Sequence, residues 1–250
     1  MQRRDLKPNP WLAYTQPNPR AQLRLFCFPY AGGSAGIYRK WASDAPPGVE
    51  ICPVQLPGRE SRLMETPYKS MSDLVEATLA GLAQELVGPF AFLGHSMGAV
   101  LSFELTRRLR QQGGPLPVHL FVSGCRAPHT ISVRRPIYHL PDDEFIAGLR
   151  RLNGTPEAVL QNPELMQLVL PALRADFSAI EQYTYRAEEP LDSPITAFHG
   201  LDDIDVPTEH VEAWRELTGG RFARHSFAGD HFFIHHVKDA MLRQVALNVG

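Results

Sequence analysis

The hydrophobic positions of this chain follow two rhythms. Short apolar or β-branched runs bounded by turn residues predict strands: "QLRLFCFP" (22–29), "VEICPVQ" (49–55), "PFAFLGH" (89–95), "VHLFVSG" (118–124), "PITAFHG" (194–200) and "RFARHSF" (221–227). Apolar residues at helical spacing predict helices near 36–44, 71–86, 97–112, 208–218 and 231–248. Strand and helix in alternation imply βαβ crossovers, hence an α/β fold with a mostly parallel sheet and helices on both faces. Near-continuous apolar runs such as "LFCF" and "FAFL" suit strands buried on two sides.

The alternation breaks once. Between "LFVSG" and "PITAF" the pattern is helical only, as in "PDDEFIAGLRRL" and "NPELMQLVLPALRADFSAIEQY". Pro141 before two acids, and Asn162 before Pro163, read as helix starts. Such an insertion, at the end of a sheet where ligands bind, reads as a cap over a site. We therefore expect one domain, 1–250, with a helical lid at 130–190 inserted after the strand ending near residue 124.

Composition narrows the class. With 250 residues, 44% hydrophobic and 21% charged, the chain suits a globular protein with a large core. A formal charge of −2 gives no reason to expect nucleic acid or an anionic membrane as partner. Arginine clusters such as "TRRLRQQ" read as solvated faces. Cys27, Cys52 and Cys125 lie in or beside apolar runs without CxxC spacing, which argues for packing in a reducing compartment rather than disulfides or metal. The start, "MQRRDLKPNPWLAYTQPNPR", is basic and proline-rich without an apolar h-region, so no signal peptide is expected. No run of 18 apolar residues occurs. The expectation is a cytoplasmic monomer, away from membranes.

Candidate chemistry centres on "GHSMG" (94–98). G-x-S-x-G at a strand-to-helix junction places Ser96 in a tight turn that lifts its hydroxyl above the sheet edge, while the Met97 N–H is available as an oxyanion donor. A hydroxyl needs a base, and the base an orienting acid. Downstream, "AFHGLDDIDVP" offers Asp202, Asp203 and Asp205 in the loop after one strand. "SFAGDHFFIHH" offers His231 after the last strand, at the start of the final helix. His95 reads as packing, pointing away from Ser96. His235 and His236 read as surface or packing residues inside that helix. His231 and His235 stand i, i+4, but Phe232 occupies the place of the zincin glutamate, so no metal is expected. "FPYAGGSA" (28–35) lacks the phosphate-loop lysine and the full G-x-G-x-x-G pattern. It reads as the loop supplying a second oxyanion N–H, from Tyr30 or Ala31.

Taken together, "FPYAGG", "VQLPGRESR", "GHSMGA", "LFVSGCRAP", "LNGTP", "LPALRADF", the Asp loop and "GDHFF", in that order from about 22 to 245, resemble the type II thioesterases of nonribosomal peptide and polyketide synthesis, members of the α/β-hydrolase superfamily. The resemblance implies an editing hydrolase that clears acyl groups from the phosphopantetheine thiol of carrier domains, with no cofactor of its own. It alone selects Asp203, three residues after Gly200, and maps the base onto His231. Two departures are Asn153, where a second glycine is expected, and Asp230 before the histidine. Within the cap, Leu165, Met166 and Val169 are candidates to line an acyl pocket, and Arg134 and Arg135 to meet an acidic carrier domain. An acyl-CoA or free-ester hydrolase of the same fold, or a non-catalytic carrier-binding module, are the alternatives.

Overall fold

The computed structural model describes residues 9–249. The first eight residues of the basic segment lie outside the described residues. Six parallel strands form one sheet in the order β2-β1-β3-β4-β5-β6. They are β1 (Leu23–Phe28), β2 (Val49–Pro53), β3 (Phe90–His95), β4 (Leu120–Ser123), β5 (Ile195–Gly200) and β6 (Phe222–Phe227). Each lies within a residue or two of the apolar run that predicted it. This α/β-hydrolase architecture follows from strands that are apolar on both faces. Phe26 and Phe28 of β1 pack on one side with Phe90 and Phe92, under helices α2 (Met71–Leu82) and α3 (Met97–Gln111). Leu25 and Cys27 point the other way, toward α1 (Arg39–Ser43) and α8 (Lys238–Val249). One strand thus feeds two cores, because successive side chains alternate across the sheet.

Between β4 and β5 lie α4 (Asp142–Leu152), α5 (Glu157–Leu160) and α6 (Pro163–Glu181). The starts follow the sequence signals: Asn162 accepts from the N–H groups of Glu164 and Leu165, with Pro163 at the first helical position. Asn153 ends α4 at φ 57°, a left-handed conformation that asparagine tolerates better than most residues, which accounts for a non-glycine there. These helices have a core of their own, built on Phe145, Leu149, Met166, Leu173 and Phe177. The rings of Phe145 and Phe177 meet edge to face at 5.5 Å.

The last predicted helix differs. Only a short turn, Phe233–His235, follows β6 directly, and α8 begins at Lys238. Asp230 causes the delay: its side chain accepts from Phe232 N–H (2.9 Å) and its carbonyl from Phe233 N–H (3.1 Å), winding the chain too tightly for an α-helix. His231 consequently sits in a loop, and His235 and His236 lie outside α8. After β5, α7 (Thr208–Glu212) passes directly into a tighter turn over Ala213–Leu217. No helix among the described residues is long and apolar enough to cross a membrane.

A buried histidine gives the sheet an acid limit. His119 precedes β4, stacks on Phe121 at 4.3 Å and meets the Thr196 hydroxyl at 2.8 Å. Burial, with the nearby Arg221 charge adding, lowers its pKa to about 4. The unfolded chain binds the extra proton between that value and the ordinary 6.5, so this stability is complete above about pH 6.5 and lost as pH falls toward 4. The contribution is on the order of 3 kcal/mol. We expect His119→Gln, which keeps a partner for Thr196 without titrating there, to flatten the fall in melting temperature between pH 7 and pH 4. An unchanged acid limb in thermal scans would exclude His119 as its source.

Candidate active site

Ser96 joins β3 to α3 with φ 54° and ψ −116°. A non-glycine residue held there stores on the order of 1–3 kcal/mol of strain. Crowding imposes it. A Cβ on Gly94 would stand 2.0 Å from the Gly98 carbonyl oxygen, and one on Gly98 would stand 2.2 Å from that of Phe28. Only bare backbone lets β3, α3 and the end of β1 approach so closely. The Ser96 N–H donates to the Ser123 carbonyl on β4 at 2.8 Å, which pins the turn to the sheet.

Because the strands are parallel, the loops after β3, β5 and β6 emerge at one edge. Gly200, which ends β5, brings two of them together: a Cβ there would lie 2.6 Å from the Asp230 carbonyl oxygen. Across this contact the His231 Nδ1 meets Asp203 Oδ2 at 2.6 Å. The Asp203 side chain is 1% exposed and the His231 side chain 21%. With a buried carboxylate as partner, Nδ1 carries the hydrogen and Nε2 is left as the basic nitrogen. Ser96 and His231 line the same cavity, of about 140 Å³. The Ser96 hydroxyl makes no hydrogen bond to a described residue, so the contact from serine to imidazole is left for the loaded state to complete.

The aspartate choice has a physical basis beyond resemblance. Asp202 is exposed and accepts from Gly229 N–H (3.0 Å), which steadies the histidine loop from outside. Asp205 lies 3.7 Å from Arg134 and donates its N–H to Asp203 Oδ1 (3.1 Å). Only Asp203 meets the imidazole.

His95 is fully buried, as its packing assignment expected, and it also has a wiring role. Its Nδ1 faces the Ser123 hydroxyl and its Nε2 the His231 carbonyl, both at 2.9 Å. A carbonyl only accepts, so Nε2 carries the hydrogen and Nδ1 accepts from Ser123. Burial, with the nearby His231 charge adding, holds the His95 pKa well below its ordinary value, keeping this neutral pattern. His235 also has a partner: its Nε2 meets the Tyr30 hydroxyl at 3.1 Å.

Across from Ser96, the turn Tyr30–Gly33 closes through Gly33 N–H to the Tyr30 carbonyl (2.8 Å), with Gly32 at φ +78°. The N–H groups of Tyr30, Ala31 and Met97 make no hydrogen bond among the described residues. Three unspent donors beside the elbow suit a developing oxyanion.

The cavity departs from expectation in its walls. Leu165 is exposed, Met166 is buried in the cap's own core and Val169 packs against that core; none of the three lines the cavity. The helical face facing the sheet turned out narrower than the apolar stripe, because the cap needs its own interior. The walls are instead Cys125, Arg126, Arg134, Ile180, Glu181 and Tyr183, among others. Arg134, a third exposed, lies 3.4 Å from Glu181 and 3.7 Å from Asp205 and forms part of this wall. Burial pushes the Cys125 thiol up to about 12, leaving it protonated at neutral pH. Ile180, Glu181 and Tyr183, at the end of α6, carried no local signal in the sequence that would place them in this wall.

A family model described as "Thioesterase domain" matches residues 23–247. Among curated proteins, the chain is 47% identical over 245 residues to "Linear gramicidin dehydrogenase LgrE" of Brevibacillus parabrevis, covering 97% of this chain and 93% of that protein. It is 40% identical over 227 residues to "Thioesterase PikA5" of Streptomyces venezuelae, covering 90% and 80%. Among solved structures, the type II thioesterase BorB from the borrelidin biosynthetic cluster aligns with a TM-score of 0.87 and 38% identity, over 96% of this chain and 98% of that one.

Two measurements test this geometry. Asp203→Asn should lower kcat about 10⁴-fold, the scale of losing the orienting acid of a triad. Asp205→Asn should stay within a few-fold of wild type. Equal losses would mean that the carboxylate pairing is misassigned. Ser96→Gly, freed from backbone strain, should be more stable than Ser96→Ala by about 1 kcal/mol and melt at a higher temperature; the reverse order would show that the turn stores no strain.

Proposed function

The chain belongs to the thioesterase domain family, and from that premise we propose that it is a serine thioesterase of the type II class, hydrolysing acyl groups from the phosphopantetheine thiol of carrier domains in nonribosomal peptide or polyketide synthesis. The observation that supports this most is that His231, paired with Asp203, lines one cavity with Ser96. BorB's own description supplies the type II designation, and PikA5 is likewise named a thioesterase. LgrE's name denotes oxidoreduction. The loop after β1 in this chain, "FPYAGGSA", lacks the dinucleotide-binding G-x-G-x-x-G pattern, which favours hydrolysis.

The chemistry follows from the groups present. The Ser96 Oγ attacks the thioester carbonyl carbon as His231 Nε2 takes its proton, and Asp203 holds the resulting imidazolium. The oxyanion is received by the N–H of Met97 and that of Tyr30 or Ala31. One such donor is typically worth about 3 kcal/mol in the transition state. The C–S bond breaks, and the departing sulfur takes the proton from His231. Water, deprotonated by the same imidazole, then attacks the acyl-enzyme and releases the acid. A thiolate leaves readily, so selectivity rests on the cavity and on docking rather than on extra acid catalysis. The same reading takes 1–250 as one hydrolase domain with the 130–190 segment as its lid. It takes the protein as a cytoplasmic monomer without metal or cofactor, the substrate arriving on the partner's arm. Free Cys27, Cys52 and Cys125 fit a reducing compartment.

Acid release from acyl-loaded carrier domain should fall at least ~10³-fold in Ser96→Ala. Equal release by the variant would remove the mechanism. Higher catalytic efficiency on the CoA thioester of the same acyl group would favour an acyl-CoA hydrolase instead. Failure of a fluorophosphonate to label the wild type would point to a non-catalytic module.

A further inference from the structure

Two of the quoted segments, "VQLPGRESR" and "LPALRADF", have no part in the chemistry above, yet they meet at one point. Arg59, in the loop after β2, and Asp176, on α6 of the cap, form a paired-fork ion pair: Nη1 to Oδ2 at 2.5 Å and Nη2 to Oδ1 at 2.8 Å. Their side chains are only 9% and 3% exposed. The pair also holds the turn that carries the oxyanion donors. Asp176 Oδ2 accepts the Gly32 N–H at 2.7 Å, and Arg59 Nη1 donates to the Gly33 carbonyl at 3.1 Å. Arg59 Nε donates to the Pro57 carbonyl at 3.1 Å, which fixes the guanidinium to its own loop. Leu173, one turn before Asp176, presses on the same turn: a Cβ on Gly32 would stand 2.3 Å from its Cδ2.

A turn containing two adjacent glycines has little conformational preference of its own, and the donors of an oxyanion hole act only if they are oriented before charge develops. Here the Ala31–Gly32 and Gly33–Ser34 peptide groups are held from outside, the first by a carboxylate and the second by a guanidinium. We propose that the Arg59–Asp176 pair is the positioning device of the oxyanion loop. It sets the Tyr30 and Ala31 N–H groups and does so only while α6 is seated, making the cap a condition of catalysis as well as a cover. Arg59 and Asp176 are positioning residues that act through the turn. The proposal rests on the serine-hydrolase reading above.

The competing account is that the pair only fastens the cap to the body. Replacing a buried ion pair by apolar residues of similar volume commonly preserves or raises stability, so Arg59→Met with Asp176→Leu separates the two. A small acyl N-acetylcysteamine thioester serves as substrate. A trifluoromethyl ketone of the same acyl group, which forms an oxyanionic adduct with the serine, reports on the hole. The double variant should melt within a few degrees of wild type and keep its KM within about threefold, while kcat and ketone affinity both fall by about 30-fold. Asp176→Asn, which keeps an acceptor for Gly32 but not the charge-paired fork, should fall by only about threefold in both. That smaller fall tests the proposal even if the double variant fails to fold. Unchanged kcat and ketone affinity in either folded variant would overturn the proposal, as would parallel loss of activity and melting temperature in Asp176→Asn. A wild type inert toward every thioester would instead overturn the hydrolase reading.

Discussion

Backbone contact between Gly94, Gly98 and Phe28 is the constraint on which the site depends. A strand, a helix and the end of the neighbouring strand pass at distances that admit no Cβ, and the residue between the glycines must adopt a left-handed backbone to turn the chain. That turn puts the Ser96 side chain at the sheet edge and keeps the Met97 N–H out of the helix ladder. The same contact brings the loop after β1 beside the serine, so the candidate nucleophile and the candidate oxyanion donors of that loop are set by one packing event. Strain at this position is tolerated because a six-stranded parallel sheet, buried on both faces in its centre, determines the direction of every element entering it.

A neutral polar network is layered on this frame. His95, inside the elbow, donates to the His231 carbonyl, which fixes its tautomer, and accepts from Ser123 on the adjacent strand. Asp203 orients the His231 ring while His95 orients its main chain, so the candidate base and nucleophile share a support. Burial keeps His95 uncharged, so it places no charge beside that ring. Asp202 steadies the same loop from the solvent side through Gly229. One aspartate of the cluster thus serves the imidazole, and its neighbour serves the loop that carries the imidazole.

The cap contributes differently from what its apolar residues suggest. Most of its hydrophobic surface is consumed by an internal core, so what it offers the cavity is the polar end of α6 and the segment before α4. A small cavity with Arg134, Glu181 and Tyr183 in its wall has little room for a long chain unless the cap shifts, and α6 is also where the oxyanion turn is tied down. Cap placement and the proposed support of the oxyanion turn share one helix.

By itself the sequence determined the layered α/β architecture, the order of strands and helices and the helical interruption, because period-2, period-3.6 and continuous apolar patterns are local consequences of burial. It also singled out Ser96 as the candidate nucleophile, since a serine flanked by glycines at a strand-to-helix junction is a local signal, and it offered His231 as the candidate base through chain order and resemblance. The tertiary structure decided what depends on meetings between distant segments. Asp203 rather than Asp202 or Asp205 faces the imidazole because Gly200 lets two loops touch. Met166 and Val169 stay out of the cavity wall because a helical insertion must satisfy its own interior, and Leu165 because it faces solvent. The last helix starts late because Asp230 draws the chain into a tighter turn. Arg59 finds Asp176 across 117 positions of sequence, a separation at which no periodicity or propensity carries information and only the packing of the finished fold can choose a partner.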